Sequence, residues 1–263
     1  MKTLALFCTI VASALSAPLS SETDSSRYNY AIDVAQTVSA QTFKCIFDQG
    51  YKTAFVRVYK PDGTGSVDQA GVQNVFNAHN GRLGTEVYVT PSVQSNKQAS
   101  QQFNEVQSAL QQAGIGFRTV WLQVTSPINW GSNQQFNIQF ISEFFQAAQA
   151  AGVNVGVYTN WYDWSQITGS WSGWSTQQAV QLWYWSAYGV GPSVESPSNF
   201  NDFRAFGGWT QGAMKQFGLQ SNVCGVTFNR NAYSVSSYAA ESRSEAAVEK
   251  KAGEKVVVGT LFG

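Results

Sequence analysis

Apolar, β-branched runs alternate along the chain with Ala- and Gln-rich segments whose apolar residues recur at helical spacing. The runs predict strands at 30–35, 53–59, 86–92, 119–125, 153–159 and 182–187, with shorter ones near 204–205 and 214–217. The segments between them predict helices at 42–49, 68–79, 98–112 and 134–151. Successive parallel strands need crossover helices, so this alternation predicts one α/β domain with a parallel sheet.

Nearly eight strand–helix units favour closure into a single TIM-like (β/α) barrel. An open doubly wound sheet is the alternative, but no glycine-rich phosphate loop follows any predicted strand. Functional residues of such barrels lie at the carboxyl ends of the strands. The candidates at those positions are Asp33, Tyr59, Thr90, Gln123, Thr125, Tyr158, Asn160, Tyr184 and Ser186.

The two ends of the chain differ from the barrel segment, 28–236. Residues 1–17 combine an early lysine, an apolar run and small residues, which is typical of a secretory signal; 18–27 form a leader. A membrane anchor needs about 20 apolar residues, and this run is shorter. We therefore expect secretion, to the extracellular space or to lysosome-like vesicles. The charged tail, 237–263, is interpreted as an appendage with a helix at 240–251 and a final VVVGTLF that is either a docked strand or a loose end.

Composition excludes several classes of partner. Only 12% of residues are charged, and sixteen basic residues balance sixteen acidic ones, so neither nucleic acid nor an anionic membrane is expected to bind. Cleavage of the signal removes Cys8 and leaves Cys45 and Cys224. In an oxidising compartment these two predict a disulfide, with two separate buried thiols as the alternative.

The titratable residues point to carboxylate chemistry. The single histidine, His79, lies in a predicted helix, which excludes a zinc motif and a histidine-based triad. Two carboxylates can cleave a glycosidic bond without a cofactor. Asp33 is the one acid that the strand pattern places at the mouth, and a structural aspartate there is as consistent with the pattern as a catalytic one.

Several segments resemble the family 25 glycoside hydrolases, in particular their nematode-type lysozyme-like branch. They are YAIDVAQTVSAQTFKCIFDQGYKTAFVRVY, VWLQVTS, VGVYTNWYDWSQI, LWYWSA and FGGWTQGAMKQFG…VCGVTFNRNAY. The resemblance implies a β/α barrel, and active members of the family cleave peptidoglycan at the muramic acid to glucosamine linkage. The positions of Cys45 and Cys224 also match this branch.

The resemblance assigns the family's catalytic positions residue by residue. Its first-strand aspartate corresponds to Asp33, its fourth-strand aspartate and glutamate to Gln123 and Thr125, and its late aspartate to Asn229. With three of four carboxylates replaced, we predict a defence protein that binds bacterial cell-wall glycan without muramidase activity. The alternatives are an active muramidase that uses Asp33 with a relocated acid, and a storage or structural secretory protein. The candidates for the relocated acid are Asp163, Glu195 and Asp202.

Tryptophans and tyrosines supply flat rings that suit sugar faces. Trp183 and Trp185 share one strand parity and are predicted to pack in the core, while Trp161, Trp164, Trp171 and Trp174 fall in a loop-rich segment where glycan contact and loop packing are equally expected. The candidates for glycan binding are Tyr59, Tyr158, Asn160, Trp161, Trp164 and Tyr184. No cofactor and no metal are expected, and the protein is expected to be a monomer.

Overall fold

The computed structural model describes residues 28–173, 180–234 and 255–261. The predicted signal and leader, Trp174 and the predicted helix at 240–251 lie outside these ranges. The strands are β1 Tyr28–Val34, β2 Tyr51–Lys60, β3 Ser66–Val67, β4 Gly84–Val89, β5 Gly116–Phe117, β6 Thr119–Gln123, β7 Asn154–Thr159, β8 Gln181–Trp185, β9 Met214–Val223, β10 Val226–Ser234 and β11 Val257–Val258. The helices are α1 Ala40–Asp48, α2 Gln69–Asn80, α3 Ala99–Gln112, α4 Gln134–Ala150 and α5 Trp161–Thr168, with 3-10 turns at Pro127–Asn129 and Pro192–Val194.

Eight of these strands close into the predicted barrel. Their order around it is β1, β2, β4, β6, β7, β8, β9 and β10, and β10 pairs with β1 to close the circle. Most neighbours are parallel, but β9–β10 and β10–β1 are antiparallel, which departs from the all-parallel sheet of the prediction. The barrel is thus a TIM-like one that is completed by a hairpin.

The predicted strand near 204–205 was wrong, and the β9–β10 hairpin supplies the last two strands of the barrel in its place. The segment there forms only an isolated bridge between Phe206 and Trp209. The last two barrel strands instead come from one continuous stretch, which turns at Cys224 and Gly225. Both turn residues have positive φ, 56° and 74°, and this twist joins antiparallel strands through a two-residue loop.

The alternation of side chains along the strands divides the apolar residues into two clusters. One lies between the sheet and the helices, and the other fills the barrel interior. Within the interior, Trp183 stacks on Tyr158 with ring centroids 4.1 Å apart and contacts the rings of Phe55, Tyr88 and Trp121. Trp183 therefore occupies the centre of the barrel, as its strand parity predicted.

A disulfide between Cys45 and Cys224 confirms the pairing inferred from the sequence. Their Cα atoms are 6.1 Å apart, and 179 residues separate them along the chain. The bridge ties α1 to the β9–β10 turn rather than to a strand. A covalent link over so long a loop restricts the unfolded chain and is worth about 2–5 kcal/mol.

The end of the chain closes the amino-terminal opening of the barrel. β11 pairs with β5, and the Gly259 amide donates to the Thr85 carbonyl. Gly259 has a φ of 76°, and a Cβ there would lie 2.4 Å from the backbone of Thr119, so only glycine fits. Leu261 then enters the interior cluster. Of the two alternatives for VVVGTLF, the structure shows the docked strand, at Val257–Val258, and Phe262 lies outside the described residues.

Glu86 holds this segment from inside the barrel. Its carboxylate accepts hydrogen bonds from the Leu261 amide at 2.8 Å and from the Trp121 indole at 2.9 Å. Burial raises the pKa of Glu86 from 4.5 to about 7 despite these donors. The folded protein consequently keeps a proton on Glu86 at pH values where the unfolded chain has lost it.

We expect this proton to make stability depend on pH. Between about pH 4.5 and pH 7 the free energy of unfolding should fall as pH rises, by about 3 kcal/mol in total, and it should level off above pH 7. In Glu86→Gln the part of this decline that Glu86 causes should disappear, because the amide does not titrate, so the slope should be clearly smaller. Urea unfolding at a series of pH values would measure both slopes. Asp33 and Asp163, which also have raised pKa values, remain in both proteins, so equal slopes would show that Glu86 is not the source.

Candidate functional site

Asp33 lies at the carboxyl end of β1, inside the barrel mouth, and is 5% exposed. Its Oδ1 accepts hydrogen bonds from the Gln216 and Asn231 amides, both at 2.8 Å, and its Oδ2 accepts one from Asn229 at 2.9 Å. Asn229 is the register partner of Asp33 across the β1–β10 pair. The structure thus brings together two of the positions that the resemblance assigned to the family's site, Asp33 and Asn229.

The orientation of each amide around Asp33 is fixed by a donor on its oxygen. The Trp183 indole donates to Asn231, the Tyr158 hydroxyl donates to Gln216, and the backbone amide of Gln220 donates to Asn229. Each amide nitrogen must therefore face the carboxylate. The network runs from the centre of the barrel to its mouth, and Asp33 is its common acceptor.

This network limits the chemistry open to Asp33. Burial raises the pKa of Asp33 above its ordinary value, whereas the three donated hydrogen bonds act in the opposite direction because they favour the charged form. A carboxylate has about four acceptor positions, and three are filled here. Asp33 accordingly orders the amides around it and has about one acceptor position left for a water molecule.

Gln123 and Thr125 lie together further along the rim, at the end of β6. The Thr90 hydroxyl donates to Gln123 Oε1 at 2.6 Å, and Gln123 Nε2 donates to the Thr125 hydroxyl at 2.9 Å. No group in this chain of hydrogen bonds titrates near neutral pH. The face that the sequence VWLQVTS directs into the mouth is therefore able to bind hydroxyl and N-acetyl groups, but not to donate a proton as an acid does.

Two cavities open at this end of the barrel. The larger, of about 710 Å³, lies above β4 and β6, and the smaller, of about 250 Å³, lies above β7 and β8. The first contains Thr90, Gln123, Thr125, Asn129 and Trp130 and no charged side chain. The second contains Asn160, Trp161, Tyr184, Trp185, Ser186, Asp202 and Arg204. One cavity is therefore lined by uncharged residues, and the other carries charged ones.

Asp163 lies in the wall between the two cavities. It accepts hydrogen bonds from the Ser126 backbone amide, on the side of the larger cavity, and from the Trp185 indole at 2.9 Å, on the side of the smaller one. Burial raises the pKa of Asp163, and no ion pair to it occurs within the described ranges. Trp185 is the register partner of Gln216, which binds Asp33. Trp185 and Gln216 thus lie opposite each other on neighbouring strands, and each donates a hydrogen bond to one of the two carboxylates.

The other two candidates for a relocated acid are held in ion pairs. Glu195 contacts Arg230 at 2.7 Å and also accepts from the Ser221 hydroxyl. Asp202 contacts the fully buried Lys215 at 2.8 Å. Burial alone would raise the pKa of Asp202, but the bonds from Lys215 and Ser186 hold it below its ordinary value. The lowered pKa of Asp202 keeps that carboxyl group ionised near neutral pH.

Several of the aromatic residues predicted to contact glycan are structural instead. Tyr59 is fully buried and faces the helices, where its hydroxyl donates to Glu105. Trp164 is also fully buried, and its indole donates to the Trp171 carbonyl. Tyr158 is also buried, where it stacks on Trp183 and donates its hydroxyl to Gln216. These three assignments were wrong because a strand position alone does not say which way a large ring points, and because Trp164 lies in helix α5 rather than in the predicted loop.

The remaining candidates line the smaller cavity. Trp161 is 48% exposed, and Tyr184, although buried, borders the cavity and donates its hydroxyl to Asp202. Asn160 caps α5 by accepting from the Asp163 amide. The sequence analysis missed Arg204, which lies in a segment that was read as a strand, and Gln216. A polar residue within the apolar run MKQFG was the available signal for Gln216.

Among the residues described, no helix is both long enough and apolar enough to cross a membrane. Within the same ranges, no group of histidine, cysteine, aspartate and glutamate residues could hold a metal ion. His79 lies in the last turn of α2, away from the mouth, as predicted.

Comparison with known proteins identifies the family. Residues 24–217 match the model of the lysozyme-like protein 1 family. Lysozyme-like protein 7 of Caenorhabditis elegans is 44% identical over 206 residues, which cover 78% of this chain and 72% of that protein. A probable GH family 25 lysozyme of Dictyostelium discoideum, number 2, is 30% identical over 77% of this chain and 89% of its own. The chain belongs to the lysozyme-like proteins of glycoside hydrolase family 25.

Solved structures support the fold of this lysozyme-like protein. A family GH25 lysozyme from Aspergillus fumigatus matches 78% of the chain and 93% of its own with a TM-score of 0.58 at 12% identity. A bacterial lysozyme from Streptomyces coelicolor matches 78% of the chain and 91% of its own with a TM-score of 0.56 at 18% identity. At such identities the likeness concerns the barrel alone.

Proposed function

We propose that this protein is a secreted lysozyme-like protein of defence against bacteria, which binds peptidoglycan glycan at the barrel mouth without cleaving it. The observation that carries the proposal is the state of Asp33: three amide donors occupy its carboxylate, and one of them, Asn229, stands where the family resemblance expects an aspartate. Secretion and the defence role rest on the signal-like residues 1–17 and on family membership.

The neutral cavity supports binding as the retained property. Its polar groups are hydroxyls and amides, which both donate and accept hydrogen bonds, and Trp130 gives it an apolar wall. Its volume of about 710 Å³ falls within the range of small-molecule sites, roughly 300–1,000 Å³. Sugars with hydroxyl and N-acetyl groups match such a lining.

Asp163 favours a second candidate function, an active muramidase with a relocated acid. It is the one candidate acid with a raised pKa and no cation beside it in the described structure, and it lies between the two cavities. Against this function, Trp185 and Ser126 both donate to Asp163, and hydrogen bonds to a carboxylate favour its charged form.

Wall lysis and wall retention, measured on the same purified protein, separate these functions. We expect the protein to sediment with purified bacterial walls and to leave their turbidity unchanged. Asn129→Trp, which places a ring into the larger cavity from its exposed rim, should abolish retention, while Gln149→Trp on the exposed surface of α4 should not.

Clear lysis would overturn the binding proposal. If Asp163→Asn then abolished that lysis and Asp48→Asn, on the surface of α1, left it intact, the relocated-acid function would stand. If the protein neither lysed the walls nor sedimented with them, both functions would be contradicted and a storage or structural role would be favoured.

A further inference from the structure

The smaller cavity differs from the larger one in carrying a cationic side chain, Arg204. The Arg204 guanidinium lies over the ring of Trp161, 5.0 Å from its centroid, and both side chains are exposed. Within the described parts of the chain no carboxylate is in ion-pair contact with Arg204. An arginine held flat on an aromatic ring keeps its edge donors free and pre-ordered.

The acidic residue that lines the same cavity does not neutralise this cation. Asp202 borders the same cavity, but Lys215 neutralises it, and the Ser186 and Tyr184 hydroxyls fill further acceptor positions. The remaining charge of the cavity is therefore the positive charge of Arg204. Carboxylates are the natural partners of the guanidinium fork.

The position of the cavity relates it to the glycan site. It lies above β7 and β8, the strands that follow β6 around the rim, and Asp163 accepts hydrogen bonds from one lining residue of each cavity, Ser126 and Trp185. Its volume of about 250 Å³ is below the usual size of a complete ligand site, so it suits one substituent of a longer ligand.

We propose that Arg204 and Trp161 form a second subsite that binds a carboxylate carried by the glycan, while the neutral cavity binds its uncharged sugars. This inference rests on the proposed function and adds a specificity to it. Bacterial wall glycan carries carboxylates on every second sugar, either on the lactyl ether or on the attached peptide, whereas chitin oligosaccharides carry none. The subsite distinguishes these two polymers by charge.

Calorimetric titration with three tetrasaccharides tests the proposal: chitotetraose, a peptide-free glucosamine–muramic acid repeat, and the same repeat with its stem peptides. We expect the carboxylate-bearing ligands to bind wild-type protein roughly tenfold more tightly than chitotetraose at low salt. Arg204→Gln should remove this difference and leave chitotetraose binding unchanged. Tighter binding of the peptide-free repeat than of chitotetraose would identify the lactyl carboxylate as the ligand of Arg204. Tighter binding of the stem-bearing repeat alone would identify the peptide carboxylate.

Arg82→Gln is the matched control, because Arg82 also lies over a ring, that of Phe47, but at the amino end of the barrel. It should bind all three ligands as the wild type does. Equal affinity of the wild type for charged and uncharged ligands would overturn the subsite and leave the glycan site standing, as would an equal loss for both in Arg204→Gln. If the wild type bound none of the ligands, the proposed function itself would fall.

Discussion

Trp183→Ala should lower the free energy of unfolding by about 3–5 kcal/mol, the range typical of a large aromatic removed from a packed core. Trp183 is fully buried and contacts four other rings at the centre of the barrel. Its indole also donates to Asn231, so the substitution leaves a buried amide oxygen without its partner. Denaturant unfolding of the purified variant measures the effect.

Trp161→Ala is the control for this prediction, because the same substitution is made at a ring that is 48% exposed. Its effect on stability should remain below about 1 kcal/mol. Similar losses in the two variants would contradict the central role of Trp183. The substitution should also affect the barrel mouth, because Trp183 orients the Asn231 amide that donates to Asp33. Weaker retention on walls by folded Trp183→Ala would show this connection.

The barrel could be predicted because its signals are local. Apolar runs of β-branched residues and helices with periodic apolar positions locate six strands and four helices, and strand parity places Trp183 inside. The closing hairpin was harder, because β9 and β10 contain many polar residues, of which Gln216, Asn229 and Asn231 bind Asp33. The turn at Cys224 and Gly225 was the one local signal for that hairpin.

The candidate site was only partly predictable for a different reason. Strand ends identify Asp33, Gln123 and Thr125, but hydrogen-bond partners come from distant segments: 183 residues separate Gln216 from Asp33. Similarly, the sequence suggests Asp163 and Asp202 as acids near the mouth. It does not show that the buried Lys215 neutralises Asp202 and leaves Asp163 without an ion pair in the described structure. Pairing between side chains that are remote in sequence decides which acids remain available for chemistry. This pairing is set by the packed fold, so the local sequence does not show it.

The network around Asp33 gives the reason to expect a gain of activity when the family's acids are put back. The variant combines Gln123→Asp, Thr125→Glu and Asn229→Asp. Thr125 borders the neutral cavity, so the longer glutamate side chain has open space to enter. The aspartate at 229 would remove one donor from Asp33 and place a second carboxyl group against it, where the amide now lies at 2.9 Å. Two carboxyl groups so close raise the pKa of one of them.

We expect this triple variant to lyse purified walls about 10²-fold faster than the wild-type background, the low end of what one general acid contributes. Lysis should be greatest at mildly acidic pH, where a glutamate at 125 is still partly protonated. The matched control combines Gln123→Asp, Thr125→Gln and Asn229→Asp. Its glutamine keeps the size of the glutamate side chain and lacks the acidic proton. If the triple variant folds and sediments with walls but lyses them no faster than this control, loss of the acid at 125 does not explain the inactivity proposed for the wild type.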